Sequence, residues 1–178
     1  MVDLETMAKT SRSAIVQIGA CFFDPETGSR VGREFEMNVD LQDCIDLGLE
    51  TDGDTIAFWM KEPRKYWLEG EVVNLEIALQ ALSEFVRQYK EEKLVVWNHA
   101  TFDAPILESA YQAVMMEMPF EYRSVRDIRT LYDIADYHPN KKENPNPHSA
   151  IADCVFQAKG VAAALKKIKE AREKKEEA

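Results

Sequence analysis

The strongest constraint on the fold of this chain is the pattern of residues 14–39. Ala14 to Phe23, with the sequence AIVQIGACFF, is a β-prone apolar run that ends in the turn-forming cluster Asp24 to Ser29. Arg33 to Val39 then alternates between apolar and polar side chains, which is typical of a strand with one buried face. The two runs predict an antiparallel hairpin, with Val2 to Glu5 as the strand beside it.

The rest of the chain alternates helices with strands. One further strand is predicted at Leu94 to Trp97, and residues 137–148, with their three prolines and three asparagines, predict a loop. Periodic apolar residues predict helices over Thr55 to Lys61, Pro63 to Leu68, Asn74 to Lys90, a segment after Phe102, Ile128 to Ala135, and Ser149 to about Lys169. Strands followed by alternating helices and strands predict an α/β domain with a mixed sheet.

Length and composition limit the class of protein. A chain of 178 residues, 46% of them hydrophobic, can bury one core, so we expect a single domain. It has neither an apolar run of about 20 residues nor a signal sequence, so we expect a cytoplasmic protein. Cys21, Cys44 and Cys154 are scattered, which favours reduced thiols over a disulfide framework or a zinc site.

The net charge is −10, from 32 acidic and 22 basic residues. This balance argues against a protein that simply coats nucleic acid, since such proteins present a positive surface. It does not argue against an enzyme whose carboxylates are neutralised by metal ions, because a bound cation can be the largest local charge in a site.

Two acids stand one residue apart near the start of the chain. On a strand, Asp3 and Glu5 leave the same face, while Val2 and Leu4 point to the other. Like charges this close destabilise one another unless a cation lies between them, and Mg²⁺ prefers oxygen ligands. The alternative is a frayed, solvent-exposed terminus with two ordinary surface acids.

A third acid, Asp103, follows the predicted strand Leu94 to Trp97 and begins the next helix. Ligand sites of open α/β sheets form at the carboxyl ends of strands, so a carboxylate here is well placed to bind a ligand. The alternative is a helix-start acid that the helix dipole stabilises by roughly a few tenths of a kcal/mol.

His148 and Asp153 lie where the predicted loop joins the last helix. An offset of five residues corresponds to about 500° of rotation in a helix, so the two side chains would not share a helical face. We therefore expect His148 to act from the loop and Asp153 from the helix. The alternative is a surface histidine beside an ordinary polar helix position.

The order of these motifs is more specific than any one of them: Asp-x-Glu on the first strand, Asp after a later strand, and His-x4-Asp at the start of the last helix. In this order the chain resembles the DEDDh branch of the DnaQ-like exonucleases, which includes proofreading subunits, ribonuclease T and oligoribonuclease. Four segments resemble the bacterial and phage exonucleases related to a mycobacterial 3′-5′ exoribonuclease: Asp3 to Thr6, Trp59 to Lys61, Trp97 to Asp103 and Arg126 to Thr130.

The resemblance extends from Asp3 to about Ala164 and implies a ribonuclease H-like fold, with a mixed five-stranded sheet flanked by helices. Residues 1–169 would form the 3′-5′ exonuclease domain, and residues 170–178 a charged C-terminal tail. The substrate would be the 3′ end of single-stranded RNA or DNA, or a 3′ overhang, with RNA slightly favoured. A homodimer is compatible with the same resemblance.

The resemblance also implies two divalent cations, Mg²⁺ or Mn²⁺. Asp3, Glu5 and Asp153 would bind the first, and Asp3 with Asp103 would bind the second. His148 would deprotonate the attacking water, a role that the ordinary histidine pKa of about 6.5 suits near neutral pH. The products would be nucleoside 5′-monophosphates.

Five further residues are predicted to contact the substrate: Thr6, Met7, Trp59, Asn98 and His99. Trp59 and its neighbour Phe58 could stack on a base or pack in the core, and the core is favoured for Phe58. A surface or packing role is an equal alternative for His99. Asp127 is expected to have a structural role at a helix start.

Other functions stay open at this point. Asp3 lies closer to the start of the chain than in related sequences, so either the chain begins upstream or its first strand is short, which would weaken the support of the first metal ligand. The alternatives are a catalytically weak module of the same fold that binds nucleic acid or a partner, and a nucleotide phosphohydrolase. The intact set of five catalytic positions argues against the first.

Overall fold

A computed structural model describes residues 1–88 and 94–176. The strands within these residues are β1 Val2–Thr6, β2 Ile15–Phe23, β3 Arg30–Val39, β4 Val72–Val73, β5 Val96–Asn98 and β6 Val125–Asp127. The helices are α1 Leu41–Asp46, α2 Gly53–Lys61, α3 Leu75–Arg87, α4 Asp103–Ala113, α5 Ile128–Ile134 and α6 Ala150–Glu176. Short 3₁₀ turns lie at Tyr66–Leu68, Tyr122–Ser124 and Lys141–Glu143.

The predicted hairpin is confirmed, since β2 pairs with β3 in antiparallel fashion. Gly28 lies in the turn between the two strands with φ at 70°, a left-handed conformation that glycine adopts without a steric penalty. β1 pairs antiparallel with the other edge of β2, and all residues of β1 are buried. The first strand is therefore well supported, although it has only five residues.

The sheet is mixed, as predicted, but the single five-stranded sheet is not what forms among the described residues. β1 to β4 make a four-stranded sheet in which β4 is parallel to β3, and β5 pairs with β6 in a separate parallel pair. β5 lies beside β1 without a ladder of hydrogen bonds to it. β5 and β6 are too short to extend the four-stranded sheet, since each has three residues. β5 therefore forms a single short ladder, which is with β6.

Five of the six predicted helices are confirmed with changed bounds. The helix predicted over Asn74 to Lys90 begins at Leu75, because the Asn74 side chain accepts from the Ile77 amide and caps it, and its predicted end lies partly outside the described residues. The helix predicted over Pro63 to Leu68 is only the 3₁₀ turn Tyr66–Leu68. α6 continues to Glu176, so residues 170–176 are helical, while 177–178 lie outside the described residues.

Helices cover both faces of the sheet. The larger core cluster packs apolar residues of β1 and β2 against α3 and α4, and the smaller one packs Cys21 against α5 and α6. The start of α6 lies directly on β2, because a Cβ at Gly19 would stand only 2.3 Å from the carbonyl carbon of Ala150. The glycine thus allows the close approach that sets the position of α6, which carries Asp153.

Two other expectations bear on this fold. The three cysteines are buried and free, as the scattered spacing predicted. None of the helices in the described part of the chain combines the length and the apolar character that a membrane span requires.

Candidate metal centre

The five predicted catalytic residues meet at one cavity of about 560 Å³, although they come from four separate parts of the chain. β1 contributes two of them, the start of α4 one, the loop before α6 one and the first turn of α6 one. They are Asp3, Glu5, Asp103, His148 and Asp153.

Asp3 and Glu5 project from the same face of β1, as the alternation of a strand requires. Their exposed fractions are only 7% and 8%, which excludes a frayed terminus with two surface acids. Leu4, between them, is part of the large apolar core. Burial of two neighbouring carboxylates is costly, so the cavity must offer them a partner when they are ionised.

Asp103 is buried at the first position of α4. Its Oδ2 accepts a hydrogen bond of 2.8 Å from the His99 backbone amide and lies 3.4 Å from Nδ1 of the same histidine. Asp3, His99 and Asp103 each offer a potential ligand atom, and these atoms lie within 4.8 Å of one another. Asp103 is thus both a helix-start acid and part of a group that could hold a cation.

A second group of potential ligands consists of Glu5, His148 and Asp153, again with all atoms within 4.8 Å. His148 lies in the loop, with φ at 65°, and donates its backbone N–H to Asp153 Oδ2 at 2.9 Å. The Asn144 side chain donates to Asp153 Oδ1 at 2.6 Å. His148 lies in the loop and Asp153 in the helix, as the five-residue offset predicted, and the loop and the helix meet at the Asp153 carboxylate.

The electrostatics of the centre favour protonated acids in the absence of a cation. Burial raises the pKa of Glu5 to about 8, and the carboxylates of Asp153 and Asp103 add to the shift. Burial, followed by the charges of Asp103 and Glu5, raises the pKa of Asp3 well above its ordinary value. Burial also raises the pKa of Asp153, although the His148 amide opposes it. A hard cation bound by oxygen ligands would remove this repulsion, so the donor set fits a divalent metal.

Of the five residues predicted to contact substrate, only His99 belongs to the cavity lining that the structure describes. Thr6 and Met7 are buried at the end of β1, and the Thr6 carbonyl accepts a hydrogen bond of 2.9 Å from the Trp59 indole. Asn98 is completely buried at the end of β5, and its side-chain amide has no hydrogen-bond partner among the described residues.

The prediction that Phe58 is the more buried of two neighbouring aromatic residues is wrong. Trp59 is 3% exposed and belongs to the core, whereas Phe58 is 39% exposed. The rings of both stand edge-on to the His148 imidazole, with centroids 5.1 Å away for Phe58 and 6.0 Å for Trp59. Both aromatics thus contact the predicted base, and Phe58 keeps a face toward solvent.

Asp127 has the structural role that was predicted for it. Its side chain caps α5 by accepting from the Thr130 amide at 2.7 Å, and it also accepts from the Ala100 amide at 3.0 Å. The second bond joins α5 to the segment that leads into Asp103. The Asp127 carboxylate is therefore held by these hydrogen bonds, and not by an ion pair with a neighbouring arginine among the described residues.

Several residues of the cavity were not found from the sequence. Gln157 lies one helical turn after Asp153 and donates to Asp3, and Asn144 donates to Asp153. Gln157 could have been found from its spacing of four residues after Asp153, which places both on one helical face. No local sequence pattern marks Asn144. Arg129 and Lys141 add basic groups to the rim.

The chain matches a known protein family over most of its length. Residues 1–165 match the family described as 3′-5′ exoribonuclease Rv2179c-like domain, and this range includes the six strands, α1 to α5, the first part of α6 and all five predicted catalytic residues. No curated protein matches the chain.

Proposed function

We propose, because the chain belongs to the Rv2179c-like 3′-5′ exoribonuclease family, that this exonuclease is a two-metal enzyme acting on single-stranded 3′ ends. Its substrate would be single-stranded RNA or a 3′ overhang, with DNA 3′ ends as poorer substrates, and its products nucleoside 5′-monophosphates. Residues 1–169 would form the exonuclease domain of ribonuclease H-like fold. A homodimer and a cytoplasmic location remain predictions from the sequence.

The observation that carries the proposal is a group of four carboxylates around one cavity beside a histidine, three of them buried and Asp153 partly buried. A protein gains nothing for its stability from such a cluster, since each acid is desolvated and repels the others. The cluster is useful when cations neutralise it. An all-oxygen set with histidine at the rim suits Mg²⁺ or Mn²⁺.

The side chains fall into two groups that match two cation positions. Asp3 with Asp103 would hold one ion, and Glu5 with Asp153 would hold the other. Asp3 would also bind the second ion, as the resemblance implies. Bound there, a pair of cations would supply charge neutralisation on both sides of a scissile phosphodiester.

The remaining groups of the cavity have roles that their chemistry suggests. His148 would take the proton of the attacking water, because its imidazole stands at the cavity beside Asp153. Arg129 and Lys141, both exposed at the rim, would contact substrate phosphates. His99 would lie beside the terminal nucleotide.

Digestion of 5′-labelled RNA and DNA oligonucleotides of the same sequence tests the proposal. With Mg²⁺ or Mn²⁺, the wild type should shorten RNA from its 3′ end in single-nucleotide steps and DNA more slowly, and EDTA should stop both reactions. Asp3→Asn, which keeps the volume of the side chain, should abolish the ladder. Asp133→Asn, at an exposed position of α5, is the matched control and should behave as wild type.

Two outcomes would contradict the proposal. A ladder that Asp3→Asn retains would remove the buried acids from the mechanism. Hydrolysis of nucleotides without cleavage of any polymer would instead favour the nucleotide phosphohydrolase.

A further inference from the structure

Gln157 is a buried polar residue of α6, 8% exposed, that lines the same cavity as the acids. Its Nε2 donates a hydrogen bond of 2.8 Å to Oδ1 of Asp3. Its Oε1 is also buried but has no hydrogen-bond partner among the described residues. The N–H donor of the Gln157 side chain is therefore paired with Asp3, while its carbonyl oxygen has no hydrogen-bond partner among the described residues.

That arrangement is unfavourable for Gln157 itself, because a buried acceptor without a partner loses its hydration and gains nothing in return. The opposite orientation of the amide would be worse, since Oε1 would then face the Asp3 carboxylate. An apolar side chain of similar size would avoid the unpaired acceptor altogether. What the glutamine adds to the site is the donor that it directs at Asp3.

The donor fixes one oxygen of Asp3 and leaves the other available. Oδ2 of Asp3 accepts no hydrogen bond from the residues that the structure describes, so it can face a cation. Asp103 and Asp153 are held by backbone donors, from His99 and His148. Asp3 lies in mid-strand, and among the described residues its carboxylate receives its hydrogen bond from the Gln157 side chain rather than from a backbone amide.

We infer that Gln157 is a positioning residue that holds Asp3 in the orientation needed to bind metal, an inference that rests on the proposed two-metal function. Asp153 and Gln157 stand four residues apart on one face of α6, so a single helix supplies both a ligand and the support of another ligand. Donors that orient a ligating group typically contribute a factor of about 10–100 in metal affinity.

The test measures Mn²⁺ binding to the metal-free full chain by electron paramagnetic resonance of the free ion, without substrate. Gln157→Met keeps the length of the side chain and removes the donor, and we expect it to weaken Mn²⁺ binding by roughly 10–100-fold. Its cleavage of an RNA oligonucleotide should approach the wild-type kcat when Mn²⁺ is raised. Gln80→Met, the same change at an exposed position of α3, should bind Mn²⁺ as wild type does.

Wild-type affinity in Gln157→Met, or an equal loss in Gln80→Met, would overturn the inference while the proposed function stands. Absence of Mn²⁺ binding by the wild type would overturn both. If Gln157→Met does not fold, Gln157→Asn replaces it, since it keeps the amide but withdraws it from Asp3 by one methylene. That variant should bind Mn²⁺ more weakly than wild type, and unchanged binding would again overturn the inference.

Discussion

His148 has a backbone conformation that only a small share of non-glycine residues adopt, with φ at 65°. This conformation directs its N–H to Asp153 while its imidazole stands beside Phe58 and Trp59. Strained backbone at a cavity is compatible with a residue kept for its chemistry rather than for the stability of the loop. These contacts support the proposal of His148 as the base, whereas His138 is not part of the cavity lining.

His148→Ala should lower kcat for RNA cleavage by about 10²–10⁴-fold, because general-base catalysis typically contributes that much. The acids that we propose as metal ligands remain, so Mn²⁺ binding should change far less than kcat. Single-turnover cleavage at saturating Mn²⁺ measures the first effect. His138→Ala, at a side chain that is 84% exposed, is the control and should keep the wild-type rate. A His148→Ala rate within tenfold of wild type would exclude the histidine as base.

At the residue scale, the sequence could not predict that Trp59 is more deeply buried than its neighbour Phe58. The spacing of apolar residues in the sequence does not show which of two adjacent aromatic residues on a helix is the buried one. The hydrogen bond from the Trp59 indole to the Thr6 carbonyl, 53 residues earlier in the sequence, decides which one is buried. The same holds for Gln157 and Asn144, whose partners are identified only by the folded chain.

At the scale of elements, the contact between β2 and α6 sets the position of Asp153. Gly19→Ala would place a Cβ 2.3 Å from the Ala150 carbonyl carbon, which is backbone and cannot move aside by a rotamer change. We expect a loss of at least about 1–3 kcal/mol in the free energy of unfolding, together with weaker Mn²⁺ binding as α6 shifts. Urea denaturation measures the first quantity.

Gly53→Ala is the matched control for that variant. A Cβ at Gly53 meets no atom within 4 Å, and the residue lies in α2, where alanine is favoured over glycine. It should leave stability unchanged or raise it by up to about 1 kcal/mol. Equal stability of the two variants would show that the close approach of α6 to β2 is not a constraint.

The loop before α6 is held at its last turn by Asn144, whose side chain donates to Asp153 and accepts from the Asn146 amide. Asn144→Ala should lower kcat/KM at limiting Mg²⁺ by roughly 10–100-fold, because Asp153, a proposed metal ligand, loses a group that orients it. Asn140→Ala, in the same loop but exposed, should have little effect. Similar losses in both variants would indicate a general effect on the loop instead.

The elements that the sequence marks most clearly are those long enough to show a period. β2 and β3 have nine and ten residues and α3 has thirteen, so alternation or helical spacing marks them. α1, β4 and β6 have six, two and three residues, and nothing predicted them. Without β6 as the partner of β5, the sheet could not be predicted as a four-stranded sheet and a separate pair.

At the scale of the whole molecule, a net charge of −10 is opposed to binding a polyanion. The proposed function resolves this because cations would neutralise the acids of the cavity and because Arg129 and Lys141 lie at its rim. Attraction for the substrate is therefore local. Cation binding depends on whether the cavity carboxylates are ionised. A change of pH should therefore affect both cation binding and the stability of the folded protein.

Stability of the metal-free protein should fall as pH rises from about 5 to about 8. Burial raises the pKa of Glu5 from an ordinary value of 4.5 to about 8, so in this window the folded protein keeps a proton that the unfolded chain has lost. Unfolding then releases a proton, and the free energy of unfolding decreases with pH. Asp3 and Asp153, whose pKa values are also raised, act in the same direction.

The loss should be on the order of a few kcal/mol across the window, and urea denaturation in EDTA at pH 5, 6.5 and 8 measures it. Saturating Mg²⁺ should restore stability most strongly at pH 8, because the cation binds only the ionised carboxylates and competes with their protons. Glu5→Gln removes the titrating group and should flatten the dependence in EDTA. A metal-free protein that gains stability between pH 5 and pH 8 would contradict the raised pKa of Glu5, since the slope would then have the opposite sign.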